Sequence, residues 1–568
     1  MFSTLHAANT GETPVPRDAL IIFALSLAMH APWLAFTPIA GTEGHRIFPA
    51  HEMVRSGWWS VPILFGQPLL SKPPLHLWLI AIAEKLAGVG NVFVWRLPST
   101  VMGAALCAAA CGFAQRWFSR TAGWISGCCA LGMIAIWGQS QVADIDSTNT
   151  LAAALTAFCG IELLIARPAR SWPWVLAAGA AMAATLMTKG PGGLPIILGV
   201  WLWGGFVAVR EHRGRVFRSI AFWGPIAIGF VVLGLWMLMA WQSLKAHHVP
   251  PDWKGVIEGL RNVGLDEETR KLGIANGPAP AGTNPVIKWL GAMGKSLVVL
   301  PGQLFAFALP ISLALPMCLH PEIRRGWDGA RGEVVRALVA SVLISWCISV
   351  MFAIVNPRYG YPTLIPLCPL AGAVAVAASR GQSARKWLGG IAVASAILFG
   401  GAAVALAIWA WHSTWAKPLL AVSAVAAVLA TIETVRRLQR SWRGGWGLAL
   451  LVLITVVPFS VRLQQFRTGI SGINVAPLIR RVAGPSGTVA AGGAVTSKPE
   501  TFYYAGVPLE FFKPSFTPDD VASGTWVVLD QAERKRWVAD PMVKLQREFW
   551  LCRWGPTDYY MAWYVRGE

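Results

Sequence analysis

The chain has 568 residues, 55% of them hydrophobic and only 13% charged, with a formal net charge of +20. Soluble domains carry about 25% charged residues, so the composition excludes an ordinary soluble protein and calls for one large membrane body with a smaller polar remainder. The positive charge is no nucleic-acid footprint. It is split among short clusters between apolar runs, Arg116 to Arg120, Arg210 to Arg218, Arg324 to Arg336, Arg380 to Lys386 and Arg436 to Arg443, the pattern of basic cytoplasmic loops.

From the N-terminus, a polar segment ending at Asp18 leads into an apolar run without a convincing cleavage site, which predicts a first span rather than a signal peptide. A crossing needs roughly 20 mostly apolar residues. The runs that qualify are Ala19–Phe36, Leu97–Ala114, Ala122–Ser140, Asn149–Ala166, Trp172–Met187, Gly192–Val209 and Ala221–Trp241. Further along come Ser296–Cys318, Ala337–Val355, Tyr361–Ala378, Leu388–Trp411, Pro418–Thr431 and Gly445–Val461. The expected fold is therefore an α-helical polytopic membrane protein with about thirteen transmembrane helices. Leu75–Leu86 is assigned to the membrane surface, because a crossing there would put most later basic loops outside.

With thirteen crossings and the N-terminus inside, three large features face the periplasm. One is a first loop, residues 41–96, rich in Trp, His and Pro; a second large loop spans 242–295. The third is the chain beyond the last span. There Gly487–Ala491, Thr525–Leu529 and Asp558–Val565 predict strands, and Pro518–Val521 and Gln531–Trp537 short helices. The expected division is a membrane domain over 1–462 and a small α/β periplasmic domain over 463–568. Tyr503, Tyr504 and Trp550 of that domain are expected in its core. Eight of the nine cysteines lie in or at the edge of apolar segments and no C-x-x-C pair occurs, so the thiols are expected to pack as small hydrophobes.

Polar residues at membrane boundaries gather on that same side. Glu43, His45 and Arg46 follow the first span, and Lys72 lies between Ser71 and Pro73-Pro74. Asp144 and Asp146 follow the third span, Lys189-Gly190-Pro191 separates the fifth from the sixth, and Asn356-Pro357-Arg358-Tyr359 the ninth from the tenth. Charges at membrane depth cost several kcal/mol (about 3 on insertion scales) unless they pair or line a wet cavity, so five clusters on one face predict a shared polar cavity. Carboxylates there can serve as a general base or hold a hydroxyl or metal, and cations can stabilise a departing phosphate. His247-His248 lacks a spaced partner and is not assigned a metal.

The run Gly41-Thr42-Glu43-Gly44-His45-Arg46, followed by His51-Glu52-Met53 and Ser56-Gly57-Trp58, resembles the first loop of GT-C glycosyltransferases. The branch is that of the bacterial aminoarabinose (lipid A) transferases and protein O-mannosyltransferases. The resemblance continues through Lys72-Pro73-Pro74-Leu75 and Trp95-Arg96-Leu97-Pro98, then Asp146, Thr188-Lys189-Gly190-Pro191 and Arg358-Tyr359. It implies a GT-C fold and an inverting enzyme of the inner membrane that moves a sugar from a polyprenyl-phosphate donor to a lipid, glycan or protein acceptor outside the cytoplasm. Thr42 stands where the family usually has Asp, which leaves Glu43 as the first-loop carboxylate. The resemblance implies Glu43 and Asp146 as catalytic carboxylates, and Lys72 and Arg358, with Tyr359 beside them, as holders of the donor phosphate; His45 and Arg46, next to Glu43, and Lys189 are further substrate-binding candidates. No cofactor is demanded, no metal ligand set is recognised, and a divalent metal is compatible with the carboxylates. A transporter or flippase of a lipid-linked saccharide is the alternative, since it also needs basic phosphate contacts around a polar cavity.

Overall fold

The computed structural model describes residues 16–247 and 285–566 apart from short internal stretches (65–66, 71, 168–170, 212–213, 309–310, 328, 353–356, 412–415, 441–444, 471, 485–486, 493–498, 507–508, 514–516 and 555–556). His248, Asn356 and most of the expected 242–295 loop lie outside the described residues. Two compact units divide the chain. One comprises Met1–Pro32, Leu70–His76 and Arg96–Phe459, and the other Trp33–Leu69, Leu77–Trp95 and Ser460–Glu568.

The first unit is helical. Among the described residues, nine helices are long and apolar enough to cross a membrane, the first of them α4 (Val92–Trp117), and ten if the bent pair α5 (Arg120–Gly132) and α6 (Ile134–Ser140) forms one span. The remaining three of the thirteen expected crossings have physical explanations. Trp172–Arg210 is one stretch of 39 residues, roughly 58 Å if helical throughout, nearly twice the ~30 Å hydrocarbon core. Its two helices, α8 (Trp172–Lys189) and α9 (Leu194–Arg210), are broken by a 3₁₀ turn at Gly190–Gly193. The first helix, α1 (Pro16–His30), has 15 residues before the chain tightens at Ala31–Trp33. The stretch expected at Ser296–Cys318 divides into Pro285–Phe307 and Ile311–Leu319.

Helix α7 (Asp146–Ile161) begins the most enclosed of the nine spans. Of its most apolar window 89% is buried, against 17% for Val216–Ala246. Small side chains allow this. A Cβ on Gly160 would come within 2.3 Å of the Trp201 ring, and one on Gly199 of α9 within 2.3 Å of the Ser341 backbone. Helices in lipid gain contact through such small residues, because backbones can then approach closely.

The second unit contains α2 (Gly44–Ser56), most of α3 (Leu75–Ala87) and a five-stranded sheet. Helix α3 has 13 residues, about 20 Å of helix and too short to span. A two-stranded ribbon, β1 (Ile63–Leu64) with β2 (Gln67–Pro68), lies between these helices in sequence. In the sheet β3 (Val489–Gly492) pairs in parallel with β4 (Leu509–Lys513) and β5 (Thr525–Asp530), while β7 (Thr557–Arg566) runs antiparallel to β5 and to β6 (Val543–Trp554). All six residues of β5 are buried, and the helix Gln531–Val538 follows it directly, its first turn capped by Asp530 Oδ1. Ala490, Val527, Leu529, Trp537, Ala562 and Tyr564 form the core. The three expected strands and both short helices are present; β4 and β6 were not expected. Tyr503 and Trp550 are not core residues, being 42% and 57% exposed. Cys347 departs from the expected packing by being exposed, whereas Cys552 is buried.

Candidate active site

The start of α7 is fixed before any ligand binds. Ser99 Oγ donates to the Asp144 carbonyl at 3.2 Å, and the Ile145 amide donates to Asp144 Oδ1 at 2.8 Å. The bend so pinned presents Asp144 and Asp146 at the N-terminal end of the helix, where the backbone dipole favours negative charge.

Lys189 is the last residue of α8, and the glycines after it put its ammonium against Asp146. Gly190 takes φ +60°, which lets the chain leave the helix at once. A Cβ on Gly193 would fall 2.8 Å from Ala153 of α7, so only glycine lets this turn settle there. Lys189 Nζ hydrogen-bonds Asp146 Oδ1, with both side chains buried.

Arg358 approaches from the 3₁₀ turn Pro357–Gly360 and is held more loosely. Its Nε is 3.7 Å from Asp146 Oδ2 and its Nη1 3.9 Å from Asp144 Oδ2, attraction without the 2.7–2.9 Å of a charge-assisted hydrogen bond. The Tyr359 ring serves both cations, with Lys189 Nζ 4.4 Å and Arg358 Cζ 5.5 Å from its centroid. His76 Nδ1 lies 2.9 Å from Thr148 Oγ1, two residues beyond Asp146. That bond ties the segment carrying half-buried Lys72 to the same end of α7. A small cavity adjoins this turn, lined by Ser140, Ser147, Thr150 and Tyr361 among others. Asp144, Asp146, Lys189, Arg358 and Tyr359 are thus brought together.

Glu43 belongs to the second unit and has a different environment. It precedes α2, and its carboxylate is almost fully buried. Oε2 accepts from the Ala40 amide at 3.2 Å and from Arg467 Nη2. The Arg467 guanidinium also donates to the carbonyls of Pro38 and Ala40 at 3.2–3.4 Å, clamping residues 38–43. Arg46 is buried one turn on, its Nη1 3.5 Å from the His45 carbonyl, and His45 is half-buried. Arg467 was not anticipated. Its one sequence signal, a cation just past the last apolar run and five residues after Arg462, is shared by any residue that anchors a span at the interface. Among the described residues no three His, Cys, Asp or Glu side chains converge on a metal-sized site.

The family model for dolichyl-phosphate-mannose-protein mannosyltransferase matches residues 71–241, the segment carrying Lys72, Asp146 and Lys189. The undecaprenyl phosphate-α-4-amino-4-deoxy-L-arabinose arabinosyl transferase of Pseudomonas savastanoi pv. phaseolicola is 27% identical over 241 residues, and the match spans 41% of each chain. ArnT from Cupriavidus metallidurans bound to undecaprenyl phosphate superposes with a TM-score of 0.65 at 17% identity, over 95% of this chain and 97% of that one. Its apo form gives 0.60 over the same shares. The expected fold is borne out: the chain has the fold of the ArnT structures, with helices long and apolar enough to cross a membrane and a small C-terminal sheet region.

Proposed function

We propose that this GT-C-fold protein is an inverting glycosyltransferase of the inner membrane, which moves a sugar from a polyprenyl-phosphate donor to a lipid, glycan or protein acceptor on the periplasmic side. The observation that carries the reading is the cluster at the start of α7, where Lys189, Arg358 and the Tyr359 ring converge on the carboxylates of Asp144 and Asp146. The Arg358 guanidinium so placed supplies positive charge to a departing phosphate. Lys189, locked on Asp146, and Tyr359 beneath both cations set its direction.

In the reaction an acceptor oxygen forms a bond to the anomeric carbon while the bond from that carbon to the phosphate oxygen breaks. The departing polyprenyl phosphate keeps the electron pair. Arg358 and Lys72 stabilise the charge growing on it, and Asp146 holds Lys189 and Arg358 in register. Glu43 takes the acceptor proton, with Arg467 as its counter-ion, and His45 and Arg46 contact donor or acceptor. Residues 1–462 form the catalytic membrane domain and 463–568 the periplasmic domain. The ArnT likeness, one structure of which holds undecaprenyl phosphate, and the transferase names of the matched family and relative support this over the flippase alternative.

The test is transfer from a panel of labelled polyprenyl-phosphate sugars in membranes, comparing wild type with Arg358→Ala and Glu43→Gln. Wild-type transfer that disappears in correctly inserted variants is the expected result. Transfer that persists in both overturns the assignment of the site.

A further inference from the structure

Helix α2 carries a histidine with no part in the reaction above. His51 Nδ1 lies 2.6 Å from Glu84 Oε1 of α3, and the other carboxylate oxygen of Glu84 accepts from Trp95 Nε1 at 2.7 Å. The Glu84 side chain is 6% exposed and that of His51 41%. A buried carboxylate that fixes one imidazole nitrogen sets the tautomer and the ring orientation. With Nδ1 committed to Glu84, the ring turns Nε2 away from it as an acceptor.

An aromatic wall stands in the same unit. Tyr503 has its ring centroid 5.0 Å from Phe48, one turn before His51, and 5.9 Å from Trp95, whose ring also meets His51 edge-on at 6.1 Å. Packed on those rings, Tyr503 still keeps 42% of its surface exposed. Partial burial and the nearby Glu84 charge hold its hydroxyl above the usual phenol range, so it stays a hydrogen-bond donor at neutral pH. Charged groups near the pair include Glu52 and Arg55, 3.6 Å apart on α2, Lys85, whose Nζ lies 5.9 Å from the Trp59 ring centroid, and buried Glu500, one turn before Tyr503 on its helix.

A supported, half-open aromatic ring beside a fixed acceptor nitrogen suits a ligand with one apolar C–H face and hydroxyls at its rim, which describes a pyranose. We propose that Tyr503 and the Glu84-held His51 form a saccharide-binding site through which this protein recognises a glycan or glycolipid acceptor, with a sugar hydroxyl donating to His51 Nε2. The acceptor role rests on the transferase reading above; the binding site itself does not.

The test uses the full chain in lipid nanodiscs. Binding of methyl glycosides of hexoses and hexosamines is followed by saturation-transfer NMR, and transfer kinetics use soluble disaccharide acceptors. Tyr503→Ala and His51→Ala are expected to raise the acceptor KM about tenfold or more. They should leave kcat at saturating acceptor within about threefold, since a lost ground-state contact acts on KM, and leave undecaprenyl phosphate binding unchanged. Tyr503→Phe keeps the ring and should retain most of the affinity, while Glu84→Gln should weaken it as His51→Ala does. Variants that melt earlier but keep the wild-type acceptor KM would mark the His51–Glu84 bond as a staple between helices and overturn the proposal. So would a wild-type protein that glycosylates peptides while neither binding nor using saccharides. If the wild type transfers no sugar yet loses its saccharide signals on Tyr503→Ala, the site stands and the transferase reading fails.

Discussion

Helix α7 joins two acidic ends that differ in how their charges are held. At the Glu162 end, Arg116 donates to the carboxylate through Nε at 2.6 Å and Nη2 at 3.0 Å, and Trp117 Nε1 adds a third bond at 2.9 Å. The neighbouring Asp18 is held in the same way by Arg120 at 2.6 and 2.9 Å and by Gln115 at 2.9 Å. At the Asp146 end, roughly 24 Å of helix away, Lys189 makes one tight bond while Arg358 stays at 3.7 Å and beyond. Both ends set cations against carboxylates, but the geometries differ. Two-pronged arginine–carboxylate pairs fasten helices together, so the Glu162 end is finished as a structural joint, whereas at the Asp146 end two cations of different kinds share two carboxylates and one tyrosine ring.

The difference can be broken from either end. The largest effect is expected at Arg358: Arg358→Ala should lower transfer about 100- to 1,000-fold with little change in melting temperature, and Arg358→Lys should recover part of the loss. Lys72→Ala is expected to weaken undecaprenyl phosphate about tenfold, measured by equilibrium binding to the purified protein. Glu162→Gln at the finished end should do the opposite, lowering stability by about 1–3 kcal/mol while the transfer rate per folded molecule is unchanged. Equal activity losses at both ends would remove the distinction.

The smallest effect concerns a carboxyl group outside the membrane. Glu533 is buried on the helix after β5, and desolvation together with Asp530 raises its pKa from 4.5 to about 8, while Arg536 at 3.6 Å only partly opposes this. A carboxyl raised in the fold keeps its proton there while the unfolded chain has already lost it. Stability present below about pH 4.5 is therefore lost progressively towards pH 8 and then levels off. Glu533→Gln should flatten that slope, read as slower hydrogen exchange over Gln531–Val538 at pH 8 and no change at pH 4.5.

The sequence made Asp146, Lys189 and Arg358 legible for a simple reason. Each interrupts an apolar neighbourhood, where an isolated charge is costly enough to need a purpose. It could not show that Lys189 closes on Asp146 while Arg358 does not, because that depends on the backbone turn at Gly190. Arg467 stayed hidden because it resembles an interfacial anchor, and Glu84 because it lies on a short amphipathic helix where a polar face is expected. The strand β6 was missed because its regular alternation is broken near Arg547, which adopts φ +48° at an irregularity in the pairing with β7. Tyr503 was misplaced because an aromatic residue in a small domain usually packs in the core.

The Arg467 clamp also has a consequence in time. Glu43 is translated 424 residues before its counter-ion. At ~5–20 residues per second the interval is on the order of tens of seconds. Throughout it the first loop carries a carboxylate that cannot be buried at this position without a penalty of several kcal/mol, about 3–5 when a buried pair lacks one member. The loop thus cannot settle into its final form until Arg467 has been made, and a chain released before Arg467 lacks that settled state.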